Sequence, residues 1–289
     1  MRHFTPIKIT ITLAVWLLGT AASANQVTES IANYLNSGLR SVQQCSTEHD
    51  AIASTAERLK GLSFPTKGKF VLVNIPGGFM TAYEDGKAVM EMKTIVGKKT
   101  HQTPEYSTEI SSVRFNPTWT VPYSIIQEDK WKEKLVNDTQ FFIRNKFEFR
   151  QADGRLLSLR EAIEAPERVS RFIQSPGDHN ALGRYRFNIK SSESIYLHDT
   201  RDRENFYDGS PSTLSHGCVR LEDPKGFAKW LTGWSDEKID SYIREGSSYD
   251  YILEEQVPVI LGYFTAWPSA NGEILVYDDV YNKDTEQCR

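Results

Sequence analysis

A six-residue run in the second half of the chain restricts its local fold more than any other stretch. Residues 215 to 220 read Ser-His-Gly-Cys-Val-Arg, and Asp223-Pro224 follow soon after. Aspartate is a preferred N-cap residue and proline is favoured at the first helical position, so a helix is predicted from Pro224. The run is therefore predicted to present Cys218 on a turn before a helix.

An alternating segment precedes this run. Residues 194 to 198 read Ser-Ile-Tyr-Leu-His, the pattern of a half-buried strand. Because successive side chains of a strand point to opposite faces, Tyr196 and His198 are predicted to share one face while Ile195 and Leu197 face the core. His198 is then well placed to reach into a cleft.

Together these segments contain the parts of an acyl-transfer site. A cysteine attacks carbonyl groups as the thiolate, which near neutral pH requires a base or a cationic neighbour, and His198 and His216 can supply both. Gly217 lets a substrate approach the backbone, and the amides of Gly217 and Cys218 are candidates to stabilise an oxyanion.

Taken alone, one cysteine with two histidines fits other interpretations as well. One thiolate and two imidazoles also match a known catalytic zinc ligand set. Free cysteines are often simply buried, and many histidines only satisfy hydrogen bonds in a core. The residue types by themselves leave nucleophile, metal site and structural role open.

The spacing and the wider sequence resemble a known family. Sixteen residues separate His198 from Ser215, and this spacing followed by Ser-His-Gly-Cys is similar to the signature of the YkuD-type L,D-transpeptidases. The segments at residues 196 to 200 and 215 to 224 also resemble the YcbB-like Gram-negative branch, in which an arginine at the position of Arg220 is expected.

The resemblance implies a fold and a division of the chain. The fold expected is mostly β with helices, a YkuD-like catalytic domain with a β-sandwich-like core over residues 67–289. Residues 127–176 carry apolar positions that predict short helices interleaved with charge, and they resemble the capping insertion of the YcbB-like branch. Residues 25–66 are predicted to form an N-terminal helical segment packed on the catalytic domain.

The resemblance also implies roles for the site residues. Cys218 is expected to be the nucleophile and His198 the general base, oriented by Asp199 or by a backbone carbonyl. His216 is expected to organise the loop and contact substrate. Arg220 is a candidate to hold a substrate carboxylate, with a structural salt bridge as the alternative. Tyr196 is a candidate to line the cleft, although an aromatic residue in a strand is as often packing.

The implied reaction is a ping-pong transfer that forms 3→3 peptidoglycan cross-links between a tetrapeptide donor and a diamino-acid acceptor. The thiolate and an oxyanion hole carry this chemistry, so no metal and no organic cofactor is expected. One alternative is a cysteine hydrolase of peptidoglycan peptides, either an L,D-carboxypeptidase or an enzyme that releases wall-linked lipoprotein. An alternative of another class is a non-catalytic wall-binding module.

The first residues predict export. Arg2 and Lys8 precede an apolar stretch at residues 9 to 19, and residues 22 to 24 form a small-residue cleavage site, so residues 1–24 are predicted to be a signal peptide and the protein periplasmic. No integral membrane segment is expected after cleavage. The net charge of −4 is the opposite of what nucleic-acid binding requires, so no nucleic-acid partner is expected.

Only three cysteines occur, at positions 45, 218 and 288. In an oxidising compartment, Cys45 and Cys288 are candidates to pair, which leaves Cys218 as the free thiol. The alternative is a buried, unpaired Cys45 with a frayed tail that carries Cys288.

Overall fold

The computed structural model describes residues 24–191, 195–207, 209, 212–269 and 271–286, so residues 1 to 23 of the predicted signal peptide lie outside it. The helices in these ranges are α1 (Ala24–Gly38), α2 (Thr47–Leu59), α3 (Tyr123–Glu128), α4 (Trp131–Asn137), α5 (Thr139–Arg144), α6 (Leu159–Glu164), α7 (Pro224–Thr232) and α8 (Asp236–Glu245), with 3₁₀ turns at Leu39–Ser41, Pro166–Arg168 and Arg203–Phe206. None of the described helices is long and apolar enough to cross a membrane.

The described strands belong to three sheets. They are β1 (Lys69–Asn74), β2 (Phe79–Glu84), β3 (Lys87–Gly97), β4 (Tyr106–Phe115), β5 (Trp119–Thr120), β6 (Phe147–Arg150), β7 (Leu156–Leu157), β8 (Arg171–Gln174), β9 (Tyr185–Ile189), β10 (Tyr196–His198), β11 (Thr213–Ser215), β12 (Val219–Leu221), β13 (Tyr249–Gly262), β14 (Ala266–Pro268) and β15 (Ile274–Val276).

The largest sheet closes on itself. Its nine strands follow the order β11-β3-β12-β10-β9-β4-β13-β1-β2, and β2 also pairs with β3. Closure surrounds one apolar core, to which the inward side chains of most strands and the apolar sides of α7 and α8 contribute. The β-rich fold with helices that the sequence predicted is confirmed, and β11 lies beside β3 as an added edge.

The N-terminal helices cover the outside of this sheet. Strand β1 is buried on both faces, with Val71 and Val73 in the central core and Phe70 and Leu72 in a second cluster with α1 and α2. A strand covered on both faces reads as a continuous apolar run, which accounts for the sequence Phe-Val-Leu-Val at residues 70 to 73.

The helix start predicted at Asp223 and Pro224 forms, and a second local signal specifies a hairpin. The Asp223 side chain accepts a hydrogen bond from the Gly226 N–H at 2.9 Å and caps α7, and Pro224 occupies its first position. Asp85 and Gly86 have φ of 49° and 75° at the tip of the β2–β3 hairpin. A type I′ turn requires positive φ at both central residues, so this dipeptide specifies the hairpin.

The insertion is a mixed unit and is not purely helical. Together with β5 and most of α3, which precede the predicted boundary at residue 127, it contains α3 to α6 and a four-stranded sheet in the order β5-β8-β6-β7, with a core of its own around Trp131, Phe142 and Phe172. The prediction of short helices throughout residues 127–176 was wrong at residues 171 to 174, which form strand β8. In β8, Phe172 and Gln174 are buried while Arg171 is exposed, which is the alternation of a strand.

Candidate active site

The register of two parallel strands positions the predicted nucleophile and base. Strand β10 pairs with β12 so that Leu197 is opposite Val219 and His198 is opposite Arg220. Leu197 and Val219 are fully buried in the central core. Because side chains alternate, His198 and Cys218 both lie on the other face of the sheet. The cleft face predicted from the alternation of residues 194 to 198 is therefore the face that carries the cysteine.

His198 is buried, and its ring orientation is determined by the main chain. Its Nδ1 hydrogen-bonds to the backbone carbonyl oxygen of Asp199, and a carbonyl oxygen only accepts, so Nδ1 carries the proton. The lone pair is then on Nε2. Burial, and next the positive charge of Arg220, lower the pKa of His198 to about 3. The imidazole is therefore neutral near pH 7 and able to accept a proton.

The Asp199 carboxylate has a different role. It accepts hydrogen bonds from the backbone N–H of Arg184 and of Thr200, both at 2.8 Å, and from Arg203 Nη1 at 2.7 Å. Burial raises the pKa of this carboxyl, and those donors oppose the rise. The carboxylate holds the chain around β10, and the backbone carbonyl is the group that orients the imidazole of His198.

Cys218 is a half-buried thiol that is not part of a disulfide. Burial raises its pKa, against a backbone hydrogen bond with Tyr196 and the positive charges of Arg220 and Arg186, which favour the thiolate. Since His198 stays neutral as well, the resting pair consists of a thiol and an imidazole without charge. The thiolate then forms when His198 removes the proton.

The turn at Gly217 requires glycine. Its φ is 108°, a conformation that residues with a side chain rarely adopt, and a Cβ there would lie 3.1 Å from Ile195 Cδ1. The Gly217 N–H donates to Ser215 Oγ at 3.1 Å, so this amide is engaged within the loop. The oxyanion role of the Gly217 and Cys218 amides stays a prediction.

Thr103 lies in the β3–β4 loop and supports the turn at Gly217. It was not predicted as a site residue. Its hydroxyl donates to the Gly217 carbonyl oxygen at 2.7 Å and accepts from the Gly97 N–H at 2.9 Å. Tyr281 completes the network, because its hydroxyl accepts from the Thr103 N–H at 3.2 Å and donates to the Gly97 carbonyl oxygen at 2.6 Å. No motif marks these long-range contacts in the sequence.

Two arginines give the cleft face a positive charge. Arg186 is opposite His198 in the antiparallel β9–β10 pair, and its guanidinium carbon lies 4.7 Å from the centre of the Tyr196 ring. Arg220 lies 3.9 Å from Asp202. The Nε atoms of Arg186 and Arg220 are buried and have no hydrogen-bond partner among the described residues. Arg186 was not predicted as a site residue, although it is the polar residue between buried Tyr185 and Phe187 in β9.

His216 belongs to a separate group of side chains beside the turn. Lys98 Nζ lies 3.2 Å from His216 Nε2, and the His101 and His216 ring centres are 4.9 Å apart. Burial, followed by the charges of Lys98 and His101, lowers the pKa of His216. The substrate contacts expected of His216 and Tyr196 stay predictions.

The other two cysteines, Cys45 and Cys288, lie far from Cys218 in the sequence. Cys45 is disulfide-bonded. The pairing predicted for Cys288 falls outside the described residues, which end at position 286. Cys218 is the free thiol among the described cysteines, as predicted.

Comparisons with known proteins show what this chain is similar to. Residues 68–261 match YkuD, the L,D-transpeptidase catalytic domain. A curated Haemophilus influenzae protein named "Putative L,D-transpeptidase" is 32% identical over 244 residues, 81% of this chain. The chain spans about half the length of that relative, 48%. Membership of the YcbB-like branch stays a prediction.

Solved structures with lower similarity include two L,D-transpeptidases. One, from Mycobacterium smegmatis, is 13% identical and has a TM-score of 0.30 over 67% of this chain and 58% of its own. The other, the E. faecium catalytic domain acylated by ertapenem, is 15% identical and has a TM-score of 0.33 over 68% of this chain and 99% of its own.

Proposed function

This chain belongs to the YkuD family of L,D-transpeptidases, and we propose that it forms 3→3 cross-links between peptidoglycan stem peptides through a thioester on Cys218. The observation that carries the proposal is the β10–β12 register, because it puts a neutral, buried imidazole and a cysteine thiol that is not in a disulfide on one face of the sheet.

In the first half-reaction, Cys218 Sγ attacks the carbonyl carbon of the amide between the diamino acid at position three and the terminal D-residue. His198 Nε2 takes the thiol proton as the S–C bond forms, and it returns that proton to the nitrogen of the departing D-amino acid. The C–N bond breaks, and the tripeptide stem remains attached to Cys218 as a thioester.

In the second half-reaction, the side-chain amine of an acceptor stem attacks the thioester carbonyl. His198 removes a proton from this amine as the new C–N bond forms. The S–C bond then breaks and the proton returns to Sγ, which restores the free thiol. Atoms balance over the cycle, since one amide replaces another and one D-amino acid is released.

A neutral resting pair suits this sequence of proton transfers. Burial disfavours separate charges on Cys218 and His198, so negative charge develops on sulfur only when the substrate carbonyl is present to receive it. Arg220 and Arg186 favour that developing charge. They are also candidates to bind the carboxylate of a stem peptide.

The export prediction for residues 1 to 24 fits this substrate, because peptidoglycan lies outside the cytoplasmic membrane. We therefore propose a periplasmic enzyme. Other acceptors in the family are a lipoprotein amine, a free D-amino acid and water. All three share the same first half-reaction, so the acceptor has to be identified from the reaction products.

The test is to incubate purified protein with disaccharide-tetrapeptide and to resolve the products by mass spectrometry, with Cys218→Ala in parallel. Cross-linked dimer that carries a tripeptide donor, and that is missing with the variant, is the expected result. Tripeptide alone would identify a hydrolase and contradict the cross-linking proposal. If the tetrapeptide stays unchanged with both proteins, the result would favour the wall-binding alternative. A sedimentation assay with intact sacculi then measures binding to the wall.

A further inference from the structure

We propose that His101, Glu128 and His216 form a binding site for a divalent transition-metal ion such as Zn²⁺, which links the insertion to the cysteine turn. One ligand atom from each of these residues lies within 4.8 Å of the other two. This inference does not depend on the peptidoglycan substrate or on cross-linking. It concerns side chains that the proposed acyl transfer does not use as nucleophile or base.

The three residues come from three separate parts of the fold. His101 belongs to the loop after β3, Glu128 is the last residue of α3 in the insertion, and His216 follows β11 in the turn that leads to Cys218. Each histidine faces its own oxygen of the carboxylate. His101 Nε2 lies 2.6 Å from Glu128 Oε1, and His216 Nε2 lies 3.9 Å from Glu128 Oε2.

The ligand types are those of an open zinc site. Two imidazoles and one carboxylate bind zinc in known sites, and a water or another group takes the fourth position. Bond lengths near 2.0 to 2.2 Å place tetrahedral ligand atoms about 3.3 Å apart. The separations of 2.6 and 3.9 Å lie on both sides of that value, so the three side chains would rotate to bring their ligand atoms to bonding distance from one ion.

The hydrogen bonds around both rings fit metal binding. Lys98 Nζ lies 3.2 Å from His216 Nε2, and an ammonium only donates, so this Nε2 carries the lone pair that a metal needs. His101 Nδ1 lies 3.2 Å from Thr100 Oγ1, a hydroxyl that can accept its proton. A metal-bound histidine commonly donates its other N–H in this way, and the ion would replace the proton through which His101 Nε2 contacts Glu128 Oε1.

Lys98 is the competitor of the metal. Its ammonium donates a hydrogen bond to His216 Nε2, and it adds a positive charge beside the site. The ion must displace this flexible side chain, so removal of the Lys98 charge is expected to tighten binding. A group of side chains with only a structural role would not respond in that direction.

Coordination would have a mechanical consequence. Glu128 at the end of α3 pairs with His101 of the β3–β4 loop and with His216 of the turn, and both ion pairs join partly exposed side chains, so water weakens them. Metal–ligand bonds to the same three residues would hold the insertion against the turn that carries Cys218.

The first experiment is a calorimetric titration of the full chain carrying Cys218→Ala with Zn²⁺ at neutral pH, because the substitution removes thiol binding. We expect one ion per chain. In that background, Glu128→Gln and His101→Ala should each weaken the affinity by about tenfold or more. Lys98→Gln should tighten it. Glu133→Gln is the matched control, because it removes an exposed carboxylate of the neighbouring helix α4 that pairs with Lys130, and it should change the affinity by less than about threefold.

Two further measurements identify the geometry. Co²⁺ should give the visible absorption bands of a tetrahedral site, and Glu128→Gln should abolish them. Zn²⁺ should slow amide hydrogen exchange at residues 123 to 128 and 98 to 103, and it should not do so in Glu128→Gln. Absence of Zn²⁺ binding up to about 1 mM would overturn the proposal. Equal affinity in Glu128→Gln, or binding without slower exchange at α3, would overturn it as well.

Discussion

Thr103 Oγ1 donates a hydrogen bond to the Gly217 carbonyl oxygen over 2.7 Å, although 114 positions separate the two residues in the sequence. This bond is buried, and the same hydroxyl accepts from the Gly97 N–H. The turn before Cys218 is therefore held from outside its own segment.

Thr103→Val tests this support. The substitution keeps the shape of the side chain but leaves a buried carbonyl oxygen and a buried N–H unpaired, which should lower the free energy of unfolding by about 1–3 kcal/mol. It should also reduce kcat, because the turn loses a fixed position. The measurements are urea unfolding and product formation.

Thr108→Val is the control for that substitution. Thr108 also donates through its hydroxyl to a backbone carbonyl oxygen, that of Lys190 at 2.7 Å, but the bond is exposed. Thr108→Val should change the free energy of unfolding and kcat only slightly, because water replaces the lost hydrogen-bond donor. Equal losses in the two variants would contradict a special role for Thr103.

Gly217→Ala should remove most activity. A side chain at φ 108° is strained by about 1–3 kcal/mol and would meet Ile195, so the turn should shift and move Cys218 away from His198. Gly246→Ala is the matched control, since Gly246 has φ of 73° and no atom near its missing Cβ. We expect Gly217→Ala and Gly246→Ala to have similar free energies of unfolding and very different rates of product formation. A fully active Gly217→Ala enzyme would show that the turn tolerates other conformations.

His198 should make stability depend on pH. Its pKa falls from 6.5 to about 3 on folding, so below pH 6.5 the unfolded chain binds more protons than the folded one. The free energy of unfolding should then decrease as pH falls from 6.5 towards 3, by up to about 1.4 kcal/mol per pH unit from this group.

Urea unfolding at several pH values measures that effect as a difference between variants. His198→Gln should lack this part of the slope, whereas Cys218→Ala, which keeps the imidazole, should retain it. Parallel curves for wild type and His198→Gln would mean that the imidazole is not strongly perturbed in the folded protein.

Asp199→Asn should separate the two orienting groups considered for His198. The backbone carbonyl of Asp199 holds Nδ1 whatever side chain follows, so the variant should keep activity within about tenfold of wild type. It should still be less stable, because an amide cannot accept from all three donors that the carboxylate pairs with. A loss near 10⁴-fold, as for a triad aspartate, would contradict the assignment.

Arg220→Gln should raise KM for the tetrapeptide donor by about tenfold, since a charge-assisted hydrogen bond contributes about 1.5–3 kcal/mol. Arg114→Gln is the control, because Arg114 lies opposite Arg186 in the same sheet but already pairs with Asp250. Steady-state kinetics should show little change for it. An unchanged KM for Arg220→Gln, with lower stability, would instead support the structural salt bridge with Asp202.

Much of the site was predictable because its signals are local. Alternation at residues 194 to 198 predicts which side chains share a face with His198, and that prediction depends only on strand geometry. Asp223 and Pro224 likewise specify a helix start through neighbouring atoms. The insertion was predicted less well, because β8 is stabilised by pairing with β5 and β6, and the apolar residues of a short segment do not reveal its partners.

The sequence by itself therefore determined the β-rich class and the glycine turn of this protein, and it singled out Cys218 and His198 as the candidate nucleophile and base, since these depend on residue types and short spacings. Only the tertiary structure decided that β3 pairs with β12 to close the sheet, that Thr103 holds Gly217, and that Glu128 of the insertion meets His101 and His216. These contacts join residues far apart in the chain. Their partners depend on how whole elements pack, and no local pattern encodes that.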